Sequence, residues 1–377
     1  MDLSVLTFLL ILLLSFANGT NDVSKAIATL VGSGVTNYRT AIAWGTGWTM
    51  IGAATAAFVA NAMVKTFSSG LIQPDLAIPS SLAPAILSGA IFWVLFASKT
   101  GLPVSTTHAL IGSLVGAGLM AFGSEGLIWD TVSKKIVLPL LLSPFLSFGV
   151  SCLVHPLLRL IANRWEGLCV CILPSHRALV TIDAQGCTRT LFQAGGFGVP
   201  IASVPSQCNR AGLSGQTLGL DSIHWLSSGL TSLARGMNDA PKIAAMLLLG
   251  SLQAGWPSVA LQLLVFAGVA IAMGAGSYWG GRRVTKVLAE HVTTMNHVEG
   301  LSANLTTSSL VLLSGSLGLP VSTTHLSSSA IIGIGLLKGS SAVRWTTVRE
   351  MFLAWMVTVP AAALLACLAY FLLTRVI

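Results

Sequence analysis

Charge is what this chain has least of. Only 8% of its 377 residues are Asp, Glu, Lys or Arg, where soluble domains carry about a quarter. Against 54% hydrophobic residues and a mean hydropathy of +0.82, so few charges cannot cover a water-facing surface, and a soluble fold is excluded. Acidic residues are the scarcer sign, 12 against 20 Lys and Arg. The net charge of +8 is not gathered into a patch, so no nucleic-acid partner is implied; basic residues scattered over loops set membrane topology instead. Zinc spacing is also missing from the six cysteines, Cys152, Cys169, Cys171, Cys187, Cys208 and Cys367. Cys169 and Cys171 with His176 nearby are the one metal-like grouping, and free thiols in a cytoplasmic loop are the plainer reading.

Long apolar runs are what the chain has in place of charge. They cover 3–17, 40–62, 84–97, 103–121 and 134–161, then 223–250, 259–280, 300–316, 321–337 and 349–374. A helix needs about 20 residues to span a bilayer, so the shorter runs lean on neighbours or form half-helices. The first run carries Asp2 where a leader peptide has Lys or Arg, and no small-x-small site follows. It reads as a membrane segment, not as a cleaved signal.

The strongest signal is an internal repeat. Gly101-Leu102-Pro103-Val104-Ser105-Thr106-Thr107-His108 recurs unchanged as Gly318 through His325, 217 residues later. The same offset carries Asn21-Asp22 onto Asn238-Asp239 and Lys25 onto Lys242. Trp129, Thr131-Val132 and Pro144 recur as Trp345, Thr347-Val348 and Pro360 at an offset of 216. Three parts follow: a first repeat over 1–161, a polar linker over 162–222 and a second repeat over 223–377. Five segments per repeat place the two copies in opposite orientations. With outside termini, thirteen Lys and Arg fall on the inner side and four on the outer, which favours a cytoplasmic linker and a cell-membrane location. The expected fold is therefore an all-α integral membrane protein of about 10–12 segments, an inverted-repeat secondary transporter with broken helices. In the linker, Ala178 to Ile182 is mildly strand-like.

Two of the twelve acidic residues, Asp22 and Asp239, lie inside apolar stretches. An intramembrane carboxylate is costly unless it is paired or coordinates an ion, so it marks a functional site; Lys25 and Lys242, three residues on, could simply pair with them. Glycine and Asn beside each Asp, and Pro241 in the second copy, weaken the helix. A break there would free carbonyls around an ion site, and oxygen-only ligands suit a hard cation such as Na⁺.

The repeated octapeptide reads as an anion site. Pro103 and Pro320 suit a first helical turn, and Ser105, Thr106 and Thr107, with Ser322, Thr323 and Thr324, bring hydroxyls and free amides to a positive helix end. Two such ends meeting near the midplane would cradle one tetrahedral oxyanion; plain Ser/Thr capping is the alternative. His108 and His325 beside Ser and Thr suggest a hydrolase, but a nucleophile has no use for a symmetric duplicate, so no enzyme is expected. Their role is to brace the broken helix or to couple protons. Arg235 either contacts the anion or balances Asp239.

These residues resemble the PiT family of inorganic phosphate transporters. The family's Gly-Ala-Asn-Asp appears as Gly19-Thr20-Asn21-Asp22 and Gly236-Met237-Asn238-Asp239, and Pro-Val-Ser-Thr-Thr-His stands at 103–108 and 320–325. The resemblance covers about 5–160 and 223–375 but not the linker. It implies import of inorganic phosphate by symport with Na⁺ or H⁺ through alternating access, in a homodimer. It also implies phosphate ligands at Asn21, Ser105, Thr106, Thr107, Asn238, Ser322, Thr323 and Thr324. Na⁺ would sit on Asp22 and Asp239 with nearby backbone carbonyls, and no other cofactor is expected. Lys25, His108, Arg235, Lys242 and His325 are coupling or structural candidates. Thr20 and Met237 replace the signature alanine, and Lys25 replaces a common Asn, where a fixed charge could stand in for a cation or change the coupling ion. A sulfate permease of the same fold is the runner-up, and an anion channel a remote one.

Overall fold

A computed structural model describes residues 3–165, 169–173, 176–182, 188–194, 199–203, 217–218, 220–249, 256–317 and 319–376. It divides into two compact units: 1–156 with 224–377, and 157–223. Both repeats thus pack into one body, and the central stretch forms the other.

The first repeat runs α1 (Leu3–Asp22), α2 (Ser24–Gly32), α3 (Tyr38–Val59), α4 (Asn61–Ser68), α5 (Leu82–Thr100), α6 (Thr106–Phe122) and, after a π-helical turn, α7 (Leu138–Trp165). The second runs α8 (Leu220–Ala244), α9 (Val259–Gly280), α10 (Arg282–Glu290), α11 (His297–Ser316), α12 (Thr323–Leu337) and α13 (Trp345–Val376). Helix follows helix in the same order in both repeats, with α1 and α2 together answering to α8. Among the described residues six spans are long and apolar enough to cross a membrane: Leu3–Gly32, Tyr38–Val59, Leu82–Thr100, Trp129–Ala162, Val259–Gly280 and Trp345–Arg375. Lipid-facing side chains such as Phe145, Leu153, Trp279 and Leu364 are largely exposed, as expected where the solvent is hydrocarbon. Helices α8 and α11 have the length but carry Ser, Thr, Asn and charged residues turned inward, many fully buried. Helices α6 and α12, with 17 and 15 residues, reach only about 23–26 Å at ~1.5 Å per residue. A bilayer core is about 30 Å thick, so one end of each stops inside it.

The octapeptide explains those inner ends. Gly101 adopts the left-handed conformation (φ 84°) that closes α5, a conformation other residues rarely take. Leu102 to Val104 lie outside any helix, Ser105 is the extended N-cap, its Oγ accepting from the His108 N–H at 3.2 Å, and α6 starts at Thr106. Ser322 does the same for α12, accepting from the His325 N–H at 3.1 Å. Pro103 and Pro320 therefore sit two residues before the cap and not in the first turn. There the ring holds the preceding residue extended, stiffening the link into the helix.

The expected breaks are realised once. Helix α1 gives way to α2 at Val23, but α8 runs unbroken through Asn238, Asp239 and Pro241 and loosens only at Ala245–Leu248 into a 3₁₀ turn. A proline removes one backbone bond; unwinding a turn in an apolar interior would strip several, so the helix carries the proline.

Close packing holds the first-repeat motifs in place. On α1 and α9, a Cβ at Gly276 would lie 1.9 Å from the Phe16 carbonyl oxygen, and one at Gly19 would lie 2.1 Å from that of Met273. On α6 and α13, Gly112 and Gly116 meet the Val359 and Ala363 carbonyls at 2.4 and 2.5 Å by the same measure. Small residues four apart let membrane helices touch backbone to backbone.

The central unit departs from an all-helical chain. Among the described residues it holds five short strands, β1 (Cys169–Leu173), β2 (His176–Ile182), β3 (Thr188–Ala194), β4 (Val199–Ser203) and β5 (Thr217–Leu218), paired in the orders β4-β1-β5 and β2-β3. The strand-like run Ala178 to Ile182 is part of β2 and pairs antiparallel with Phe192 to Thr188 of β3. The side chains of Cys169, Cys171 and His176, and all of Cys187 and Cys208, lie outside what is described.

Candidate functional site

The site is built where the end of α1, the last turns of α8 and the starts of α6 and α12 converge. Asp22 is the last residue of α1 and is 2% exposed; Asp239 is 3% exposed. One side chain ties them together: Asn18 Nδ2 lies 2.8 Å from Asp22 Oδ2 and 3.2 Å from Asp239 Oδ2, with Thr106 Oγ1 also at 3.2 Å. An amide nitrogen has two protons, so the 2.8 Å bond is the firm one and the other two share the second proton. Thr106 Oγ1 is 3.4 Å from Asp22 Oδ2.

The two Asn residues of the motif hold the non-helical links that lead into α6 and α12. Asn21 Oδ1 accepts from the Val104 N–H at 3.2 Å, and its Nδ2 donates to the Leu102 carbonyl at 3.0 Å and to Ser98 Oγ at 3.2 Å. Asn238 Nδ2 donates to Asp239 Oδ1 at 2.8 Å and to the Val321 carbonyl at 3.2 Å. A buried link without secondary structure must satisfy its backbone somewhere, and these amides do it.

The halves then interlock. Lys242 of the second repeat donates from Nζ to Thr107 Oγ1 of the first at 2.8 Å, and Thr324 Oγ1 donates to the Val104 carbonyl at 2.7 Å. The rings of His108 and His325 lie 4.5 Å apart, with Trp355 against His325 at 4.2 Å. The starts of α6 and α12 thus face one another, and each presents the unpaired amides of a first helical turn. Lys25 Nζ bonds Asp22 Oδ1 at 2.6 Å and Lys242 Nζ bonds Asp239 Oδ1 at 3.3 Å, both pairs buried. Arg235 is fully buried; its Nη2 donates to Thr49 Oγ1 at 2.5 Å, while Nε and Nη1 have no hydrogen-bond partner.

A family model described as the phosphate transporter family matches residues 18–366. The chain belongs to that family. It is a membrane transporter and not an enzyme. Family relatives include a protein of Mycobacterium bovis named "Probable low-affinity inorganic phosphate transporter", 30% identical over 358 residues, covering 94% of this chain and 74% of the relative. A Mycobacterium leprae protein of the same name is 28% identical over 373 residues, covering 98% and 78%. Among solved structures, one described as "The sodium-dependent phosphate transporter" superposes with a TM-score of 0.74 over the whole of both chains at 22% identity, which is a likeness of fold.

Within this family member, the phosphate-ligand candidates divide by what they already do. Ser105 and Ser322 spend their hydroxyls on capping, and Asn21 and Asn238 on the links. Thr106, Thr107 and Thr324 point hydroxyls at charged or carbonyl groups of the site itself. Thr323 is buried beside them. The sequence reading passed over Asn18, the residue that bridges the aspartates. Two signals could have found it: it lies one turn before Asp22 on the same face, and the 217-residue offset carries it onto Arg235. It also missed the approach to Asn21, where Thr20 Oγ1 donates to Ser98 Oγ at 2.9 Å. Thr20 and Ser98 line a cavity of about 600 Å³ together with Lys99, Arg282, Arg283 and Lys286.

Proposed function

We propose that the protein moves inorganic phosphate across the cell membrane by alternating access, as a cation symporter. The supporting observation is the pair of buried helix starts, one from each repeat, that face each other beside Asp22 and Asp239. Free amides and hydroxyls at a helix N-terminus suit a tetrahedral oxyanion, and two facing ends offer donors to opposite sides of it. Lys242 and Thr107 would turn from each other to the anion when it enters.

Burial of the whole constellation favours a carrier over a channel, because an occluded site must be opened to one side at a time. Phosphate is favoured over sulfate because HPO₄²⁻ and H₂PO₄⁻ retain a proton that a buried carboxylate can accept in a hydrogen bond, and sulfate has none. The Lys99, Arg282, Arg283 and Lys286 cavity would gather anions on the side of the membrane where the basic residues cluster. That side is the cytoplasm on the charge count, with the linker inside, the termini outside and the repeats in opposite orientations. Coupling to Na⁺ or H⁺ and assembly as a homodimer belong to the same reading.

Uptake of radiolabelled phosphate and sulfate into proteoliposomes tests it. Saturable phosphate uptake, competed by arsenate and weakly by sulfate, is expected; sulfate uptake with no phosphate uptake overturns the substrate, and uptake that fails to saturate overturns the carrier.

A further inference from the structure

The two buried lysines sit inside shells of oxygen. Lys25 Nζ is 2.5 Å from Asn21 Oδ1, 2.6 Å from Asp22 Oδ1, 2.8 Å from the Asn21 carbonyl and 3.5 Å from the Val104 carbonyl. Lys242 Nζ is 2.8 Å from Thr107 Oγ1 and 3.3 Å from both Asp239 Oδ1 and the Val321 carbonyl. The 217-residue offset relates Lys25 to Lys242, Asp22 to Asp239 and Val104 to Val321, so the two shells are copies of one design.

Carboxylate, amide, hydroxyl and backbone carbonyl oxygens are the donor set of a hard cation, and transporters build such sites from carbonyls released at helix breaks. The break at Val23 leaves the Asn21 carbonyl to Lys25 Nζ and to Ser24 Oγ at 2.7 Å. An ammonium is a compact charge with three protons, and Lys25 places three oxygens within 2.8 Å of it. A mobile cation would need the same oxygens. The charge count agrees. Asp22 and Asp239 bring two negative charges, while Lys25, Lys242 and Arg235 bring three positive ones, all buried. Carboxylates alone would repel an oxyanion unless cations entered with it; here the positive charge is already attached to the chain.

We propose that Lys25 and Lys242 are tethered cations that permanently fill the two places a coupling Na⁺ would take, so that this chain binds and moves its oxyanion without Na⁺. The inference rests on the transport reading above and narrows its choice of coupling ion.

The test compares phosphate uptake by the wild-type protein in proteoliposomes with Na⁺ and with N-methylglucamine at equal pH and ionic strength. Equal uptake is expected. Uptake that falls by about tenfold or more without Na⁺, the range of an ordinary coupling free energy, overturns the proposal. Absence of phosphate uptake in both salts counts against the transport reading instead. Binding of ²²Na⁺ to the purified wild-type protein decides the cation question in that case. No saturable site is expected with or without phosphate, and a saturable site removed by Asp22→Asn overturns it. In the double variant Lys25→Asn, Lys242→Asn the emptied shells are expected to accept ²²Na⁺, making uptake Na⁺-dependent.

Discussion

Replacing Asn18 by alanine probes the centre of the site through a side chain that touches both carboxylates. Its firm bond, 2.8 Å to Asp22 Oδ2, is charge-assisted and contributes about 1.5–3 kcal/mol. The second proton, shared at 3.2 Å between Asp239 and Thr106, adds roughly 0.5–1 kcal/mol, nearer the value of an ordinary bond. Asn18 is fully buried, so no bulk water replaces what is lost, and Asn18→Ala is expected to destabilise the protein by about 2–4 kcal/mol. At about 1.3 °C per kcal/mol for a chain of this length, Tm falls by roughly 3–5 °C. Intrinsic tryptophan fluorescence of the detergent-purified protein measures it. Asn18→Asp, which places a third carboxylate against the other two, is expected to fall further. A Tm within about 2 °C of wild type for Asn18→Ala, or an Asn18→Asp variant more stable than it, would refute the bridging role.

Asp22→Asn is expected to abolish phosphate uptake and to lower stability by about 3–5 kcal/mol, because the Lys25 ammonium then lacks its buried counter-charge. Adding Lys25→Met should recover most of the Tm without recovering transport, and a double variant that transports normally would sink the assignment. Thr107→Ala and Thr324→Ala each remove one hydroxyl at a helix start; equilibrium binding of labelled phosphate should weaken by about 5- to 10-fold for each, since one hydrogen bond contributes about 1 kcal/mol or slightly more. Gly276→Leu forces α1 from α9, where the Phe16 carbonyl already lies 1.9 Å from a hypothetical Cβ. It should cost 1–3 kcal/mol or more, about the penalty of overpacking, and unchanged thermal stability would show that the contact is not as tight as described.

The repeat and its two motifs were legible because each rests on local chemistry. A buried Asp beside Asn is expensive wherever it occurs, and Ser-Thr-Thr after Pro-Val signals a helix start in any fold. The Ser105 and Ser322 caps appear where that signal places them. Less legible were features decided by tertiary packing. Pro241 looks like a helix breaker, yet the apolar surroundings of α8 make an unwound turn costlier than one missing bond. Pro103 looks like a first-turn residue, yet Asn21 captures Val104 and Leu102 and keeps the link out of the helix. Asn18 gave no sign of reaching across to Asp239, 221 residues away, because nothing in its own helix records what α8 brings alongside. The short strands of the central unit were only hinted at by Ala178 to Ile182, since brief β pairing depends on partners remote in sequence.

The glycine contacts between α1 and α9, and between α6 and α13, bear on how the molecule can move. The first pair carries Asn18, Asn21 and Asp22; the second carries Thr106 and Thr107. Backbone locked to backbone makes each pair a stiff strut, and the Pro103-stiffened link carries the start of α6 on the second. In the proposed alternating-access cycle, a swing of one strut against the other would change the carboxylate-to-hydroxyl spacing at their meeting point. Staples placed within a strut would leave such a cycle running; a single staple between struts would stop it.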